Sequence, residues 1–442
     1  MAEKIRIKKG LDIPLAGKPS SVVVTDKNTT LFAISPDDFP GPVWKAVVKP
    51  GDQVAAGDIL FVDKASGLIS LVAPVAGEVK EVRRGERRHI QFISIEKKGN
   101  EAKQFTPAKN NAASLKALIL NAGLWSCMRQ RPFDIVPDPE AAPRDIFVTA
   151  FDSAPLAADL LTDDLRKWLE KGLQALASLT SGKVYLGIKA GQNITSSAAE
   201  IYEFDGPHPA GNTGTQIAAI KPVNKGETVW TLDVATAARI GKLAETGELD
   251  LKMTVALTGP DVKDPHLVET LPGASIASLL KGNLSKEEGI RIISGNVLTG
   301  TRVQLDGFLR FPYRQITIIE EGDKADEFMG WASMNPKKFS IKRTFPAFYR
   351  GLEKPFNFDA RIKGGHRAMI LSGEYDKVFP FDIYPEFLLK AIIAKDIDKM
   401  EKLGIYEVAP EDFALPEFVD TSKIELQKTV RDGLDYLRKE LS

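Results

Sequence analysis

VVKPGDQVAAGDILFVDKASGLISLVAPVAGEVKEV, residues 47–82, places its apolar residues in short alternating runs, and Gly or Pro interrupts them every few positions. Alternation is the signature of a strand half-buried in a sheet, and the interruptions are turns. Pro50-Gly51 and Gly57-Asp58 are pairs that favour tight turns. Strands this short, joined this tightly, predict a small barrel or flattened sandwich. The same texture runs through residues 1–105.

Outward from there the rhythm changes. In residues 106–250, SLKALILNAGL (114–124) predicts a short helix stopped by Gly123. DIFVTAFD (145–152) and KVYLGIK (183–189) are continuous apolar runs, suited to strands buried on both faces. Between them a helix is predicted from Pro155 to about Leu179, with Leu and Trp168 at helical spacing. VATAARIGKLAETG (234–247) reads as a helix ended by Gly247. Strands alternating with helices predict βαβ units, a Rossmann-like α/β domain. Residues 251–330 return to strands around a short helix, SIASLLKGN, which fits a compact α+β unit of the β-grasp kind. Residues 331–442 predict a helical C-terminal region. There PEFLLKAIIAKDIDKMEKLG (385–404) has Pro385 at its start and Gly404 at its end, and 421–441 forms a second amphipathic candidate. The expected fold class is therefore multidomain α/β and α+β, divided 1–105, 106–250, 251–330 and 331–442.

Composition narrows the function. A chain of 442 residues has room for roughly three domains. Its 59 basic and 59 acidic residues cancel, which argues against a general nucleic-acid binder. The single cysteine, Cys127, excludes an internal disulfide and a cysteine-ligated iron–sulfur or structural zinc site. His89, His208, His266 and His366 form no recognisable metal motif. The N-terminus lacks an apolar core of signal-peptide length, and no stretch approaches a membrane span. The sequons at Asn28, Asn193 and Asn283 therefore carry little meaning, and one reduced cysteine fits the cytoplasm.

Four motifs stand out. GDxVxxGDxL followed by APVAGEV resembles lipoyl and biotinyl carriers, in which the lysine of a triplet such as DKA (63–65) is acylated. Here Lys64 lies 13 residues before Gly77, a longer spacing than the carriers have, so an unmodified barrel-sandwich module is the expectation. RRGERRH (83–89) packs four arginines into six positions and predicts an exposed hairpin tip. Its sharper reading is a contact with acidic lipid headgroups or an acidic partner. GPHPAGNTGTQI (206–217) reads as a stiff structural loop around His208. NAGLWSCMRQRPFDIVP (121–137) is the most informative. A helix runs into a loop where nucleotide enzymes place glycines so that backbone N–H groups reach phosphate. This loop instead holds Trp125, Cys127, Met128, Arg129, Arg131 and Phe133, which would fill a cofactor's space. It offers an apolar wall and Arg donors for a carbonyl oxygen. Plain interdomain packing is the competing reading. GxGxxG, GxxxxGK[ST], HExxH and GxSxG are absent, and no catalytic constellation appears.

IRIKKGLDIPLAGKP (5–19), FVDKASG, APVAGEV, GLWSCMRQRPFDIVP, IFVTAFDSAPLAAD (146–159), GPHPAGNTGTQI and FPFDIYPEFLLKAIIAKDID (379–398) together resemble, in order and over the whole chain, the alpha subunit of the sodium-translocating NADH:quinone oxidoreductases (Na+-NQR). A more distant similarity runs to the C subunit of the Rnf complex and the flavin-binding subunit of complex I. Those relatives carry a glycine-rich flavin loop and cysteine clusters that this chain lacks. The resemblance implies a peripheral subunit on the cytoplasmic face of the bacterial inner membrane. It would bind no redox cofactor itself, since flavins and iron–sulfur centres lie in partner subunits. Its partners would be the other five subunits, B to F, chiefly the membrane-embedded B subunit, in an enzyme that couples NADH oxidation and quinone reduction to Na+ export. Residues 258–280 would belong to a soluble-ligand-binding β-grasp (SLBB) domain. The quinone is expected to meet Trp125, Met128, Phe133 and Ile135 as wall and Arg129 and Arg131 as donors. A stand-alone flavin/NADH-binding oxidoreductase and a lipoyl or biotinyl carrier are the alternatives.

Overall fold

The computed structural model describes residues 2–108, 111–159, 162–323, 334–341, 345–349, 351 and 354–441. The N-terminal module is a barrel-sandwich. One sheet orders the strands Leu31–Ile34, Ile90–Lys97, Gly77–Arg84 and Gln53–Val54, and the other orders Trp44–Ala46, Ile59–Asp63 and Ser70–Val72. Leu60, Phe61, Val79, Ile93 and Ile95 are fully buried between them. Alternation puts Ile93 and Ile95 on one inner face, while the irregularity between Ile59 and Phe61 lets the adjacent Leu60 and Phe61 both be buried.

The second domain is an open sheet in the order Glu3–Arg6, Glu200–Asp205, Val184–Lys189, Asp145–Thr149, Val229–Asp233 and Arg129–Arg131. The first five are parallel, and Arg129–Arg131 adds antiparallel to Val229–Asp233. Helices Asp163–Ala177 and Val234–Thr246 pack closely on each other. Glycine is required at their crossing: a Cβ on Gly172 would stand 1.9 Å from the Ala237 carbonyl oxygen. The helix expected from Pro155 begins only at Asp163.

The third sheet orders Thr301–Val303, Ile290–Ser294, Gln315–Glu320, Met253–Thr258, Leu267–Thr270 and Val23–Thr25. With the short helix Ile276–Leu279 it makes the β-grasp. The first 25 residues thus thread two other sheets before the barrel-sandwich starts. One continuous apolar core runs through all three units. A second core gathers Ile13 with residues 375–437 of the helical C-terminal part. There the expected helix over 385–404 is two helices, Pro385–Ile393 and Ile397–Lys402. Lys395 adopts a left-handed φ of 54°, and the Asp396 carboxylate caps the second helix by accepting the Lys399 N–H.

Candidate functional site at the junction of the domains

The helix Ala112–Asn121 starts at Asn111, whose side chain accepts the Ala113 and Ser114 N–H groups, and it stops at Gly123 with φ 72°. The chain then turns under the Val229–Asp233 strand. Trp125 is fully buried, donates its indole N–H to the Pro137 carbonyl at 2.9 Å, and meets Trp230 edge-on at 5.0 Å. Met128 is fully buried as well. Burial pushes the Cys127 thiol up to about 11, too high for a reactive thiolate at neutral pH.

Arg129 reaches across to the N-terminal module. Its guanidinium donates to the carbonyls of Ser126, Met128 and Asp38 at 2.8–3.0 Å. It also lies over the stacked rings of Phe39 and Phe311, 5.9 and 5.3 Å from their centroids. Burial lowers its pKa from the ordinary value, and nearby acidic groups oppose that shift. Asp38 itself holds Arg310 and the Phe311 N–H.

Arg131 points the other way. It is 2% exposed and donates to Asp412 at 2.6 Å and Glu411 at 2.8 Å, residues that lie 280 positions further on. Burial alone would lower its pKa; the two carboxylates outweigh that and raise it. Asp412 also accepts the Ala409 N–H at 2.8 Å. Its other oxygen has no hydrogen-bond partner and faces Gly214, the second residue of the helix Thr213–Ile220. A Cβ on Gly214 would stand 2.2 Å from that oxygen, so glycine is what lets the carboxylate lie against this helix start. One cation faces two carboxylates here, and burial raises the pKa of both. Desolvation, and then the Asp412 charge, push Glu411 up to about 8 against the pull of Arg131. Its side chain is 41% exposed, so water screens part of that shift.

Beyond Arg131 the chain closes a loop, in which the Gln130 N–H donates to the Ile135 carbonyl at 2.7 Å. Phe133 and Asp134 sit at its tip with φ of 81° and 51°. Arg431, on the helix Leu426–Leu441, donates to both their carbonyls. Phe133 meets Tyr406 edge-on at 6.5 Å. Phe133, Ile135 and Arg129 remain half-buried. Of the six residues expected at a quinone, these three keep access to solvent, while Trp125, Met128 and Arg131 lie inside the junction with their hydrogen-bonding groups largely engaged.

The other motifs fall elsewhere. Buried His208 shares a hydrogen between Nδ1 and the Ser153 hydroxyl at 3.0 Å. That hydroxyl also accepts the Gly211 N–H at 2.8 Å. Burial lowers the His208 pKa to about 4. Further along, the expected structural loop gives way to the Thr213–Ile220 helix. Lys64 is exposed at the turn after Ile59–Asp63, where Asp63 accepts the Ser66 N–H and hydroxyl. The arginines of 83–88 surround an exposed hairpin tip, with Arg87 and Arg88 at positive φ.

A cleft of about 660 Å³ opens between Pro74–Ala76, Trp168, the Val234–Thr246 helix and residues 248–254, with Arg239 and Arg314 in its lining. None of the six expected quinone residues lines it. Its lining joins segments far apart in sequence, so reading along the chain missed it. Among the described residues no group of His, Cys, Asp and Glu is placed to hold a metal ion, and no helix is long and apolar enough to cross a membrane.

Three family models match in chain order: the NqrA N-terminal barrel-sandwich hybrid domain over 5–98, the NqrA second alpha/beta domain over 110–249, and the NQRA C-terminal domain of SLBB type over 254–304. Curated relatives match from end to end. The A subunit of the Na(+)-translocating NADH-quinone reductase of Actinobacillus succinogenes is 40% identical, covering 99% of this chain and 100% of the relative. Those of Hahella chejuensis and Neisseria meningitidis are 39% and 37% identical at the same coverage. Among solved structures, an NAD+-reducing [NiFe]-hydrogenase in the H2-reduced state aligns over 76% of this chain and 64% of its own, at a TM-score of 0.38 and 13% identity. That likeness is too slight to bear on the site.

Proposed function

The chain belongs to the NqrA family, the A subunits of Na(+)-translocating NADH-quinone reductases, and on that premise we propose that it is the peripheral, cytoplasm-facing subunit that shapes the quinone end of the enzyme. In this reading it is seated chiefly on the membrane-embedded B subunit, among the five partners B to F. It holds no flavin or iron–sulfur centre, and electrons reach the quinone from a neighbour's cofactor. The division at 105, 250 and 330 is part of the same proposal.

One observation carries the quinone reading. The 129–135 edge leaves Arg129, Phe133 and Ile135 half-buried, with Arg129 against the barrel-sandwich and the β-grasp and Phe133 held by Arg431 of the C-terminal helices. A quinone headgroup is a flat ring with two carbonyl acceptors, which suits an apolar wall with a nearby donor. Trp125, Met128 and Arg131 then serve as the scaffold that holds this edge. Their bulk also supports the cofactor-free reading, because a flavin phosphate needs closely approachable backbone N–H groups. A second reading puts the headgroup in the 660 Å³ cleft, whose Trp168, Leu251 and Arg239 offer the same chemistry.

Phe133→Ala and Trp168→Ala in the whole enzyme separate the two. If the 129–135 edge is the site, Phe133→Ala raises the quinone KM several-fold and leaves NADH oxidation by an artificial acceptor unchanged. A KM shift in Trp168→Ala alone transfers the site to the cleft.

A further inference from the structure

The helix Pro385–Ile393 carries large apolar residues on its outer arc as well as its inner one. Its inner arc, Leu388, Leu389, Ala391 and Ile392, is buried, and it packs so closely on the Leu426–Leu441 helix that a Cβ on Gly433 would stand 2.6 Å from the Ile392 side chain. A surface helix ordinarily turns polar residues to water on its other arc. Here that arc shows Tyr384, just before the first turn, then Phe387 and Ile393, exposed by 69%, 50% and 57%, with Lys390 as its charged residue. The Tyr384 and Phe387 rings already meet edge-on at 6.1 Å. A second strip lies alongside. Glu386 accepts the N–H groups of Ser372 and Gly373 at 3.2 and 3.1 Å. This anchors the preceding Ile370 and Leu371, 58% and 55% exposed, beside the start of the helix. Five large apolar side chains, each exposed by half or more, are more than the single scattered residues an ordinary surface shows.

Charge selects the partner. Residues 370–395 hold Lys377, Lys390 and Lys395 against Glu374, Asp376, Asp382 and Glu386. An anionic bilayer surface is held by several basic residues around apolar anchors, and this stretch has no such excess. An aromatic and aliphatic centre within balanced charge is the composition of a protein–protein interface. A standard interface takes roughly 800 Å² per partner, so a contact made here extends beyond these five side chains.

We propose that this face, centred on Phe387, docks against an apolar, uncharged surface of another subunit of the same complex. The inference rests on reading the chain as one subunit of that assembly, and it adds which surface makes the contact. The test uses the intact complex with benzoylphenylalanine in place of Phe387. Irradiation is expected to join the chain to a different subunit. Phe387→Glu with Ile393→Glu is expected to weaken reassociation at least tenfold by native mass spectrometry, while the melting temperature of the isolated chain stays put. Adducts between two copies of this chain, adducts to lipid alone, or normal reassociation of the double variant would each overturn it. If the unaltered chain itself fails to enter the complex, the failure lies with the proposed function instead.

Discussion

Arg131→Met tests what holds the junction together. The Arg131–Asp412 pair is 2.6 Å long, and its side chains are 2% and 0% exposed. Unit charges about 4 Å apart attract by about 4 kcal/mol at an effective dielectric near 20. Methionine keeps the apolar stem of Arg131 and removes the cation. Asp412 is then a buried carboxylate with the Ala409 N–H at one oxygen and nothing at the other. Breaking a buried pair from one side costs about 3–5 kcal/mol, which for a domain-sized cooperative unit lowers the melting temperature by on the order of 10 °C. The assay is thermal unfolding of the isolated chain at pH 7.5. Arg131→Met combined with Asp412→Asn removes the stranded charge as well and is expected to recover most of the loss. A shift below about 2 °C in the single variant would refute the reasoning, and so would a double variant as unstable as the single.

Glu411 is raised from 4.5 to about 8, so its contribution is complete below pH 4.5 and is lost as pH rises through about 8. Glu411→Gln should therefore flatten the fall in melting temperature between pH 5 and pH 8.5; identical pH slopes would show that Glu411 titrates alike in the folded and unfolded chain. His208 is lowered from 6.5 to about 4, so its contribution is present above pH 6.5 and lost as pH falls toward 4. His208→Gln is expected to soften that acid limb, and an unchanged limb would mean the imidazole charges freely in the fold. Lys64→Arg should leave turnover of the complex unaltered, with no lipoyl or biotinyl mass on the chain; a large loss in a normally assembled complex would restore the carrier reading.

The fold was legible where pattern is local. DIFVT and VYLGIK are continuous apolar runs and form central parallel strands, and Gly247 ends its helix at φ 73° as its position suggested. The Thr213–Ile220 helix was hidden by its setting. It is eight residues long and follows Pro and Gly, and Asn212 at its N-cap was the one available signal. The 385–404 run kept helical periodicity across a break that only the Asp396 cap betrays. Strands Glu3–Arg6 and Val23–Thr25 pair with strands about 200 or more residues away, and nothing local announces that. The candidate site divided the same way. The character of 121–137 was visible as Trp, Met and Arg in place of glycine. Which of those residues face outward depends on Glu411, Asp412 and Arg431, which meet the loop only in the folded chain.

The most direct measurement is photolabelling of the intact complex with a photoreactive quinone, followed by peptide mapping of this chain. Adducts are predicted on the peptide that carries Phe133 and Ile135, suppressed by excess unlabelled quinone. Competed adducts found only on other subunits, or on this chain only around Trp168, would contradict the placement of the quinone at the 129–135 edge.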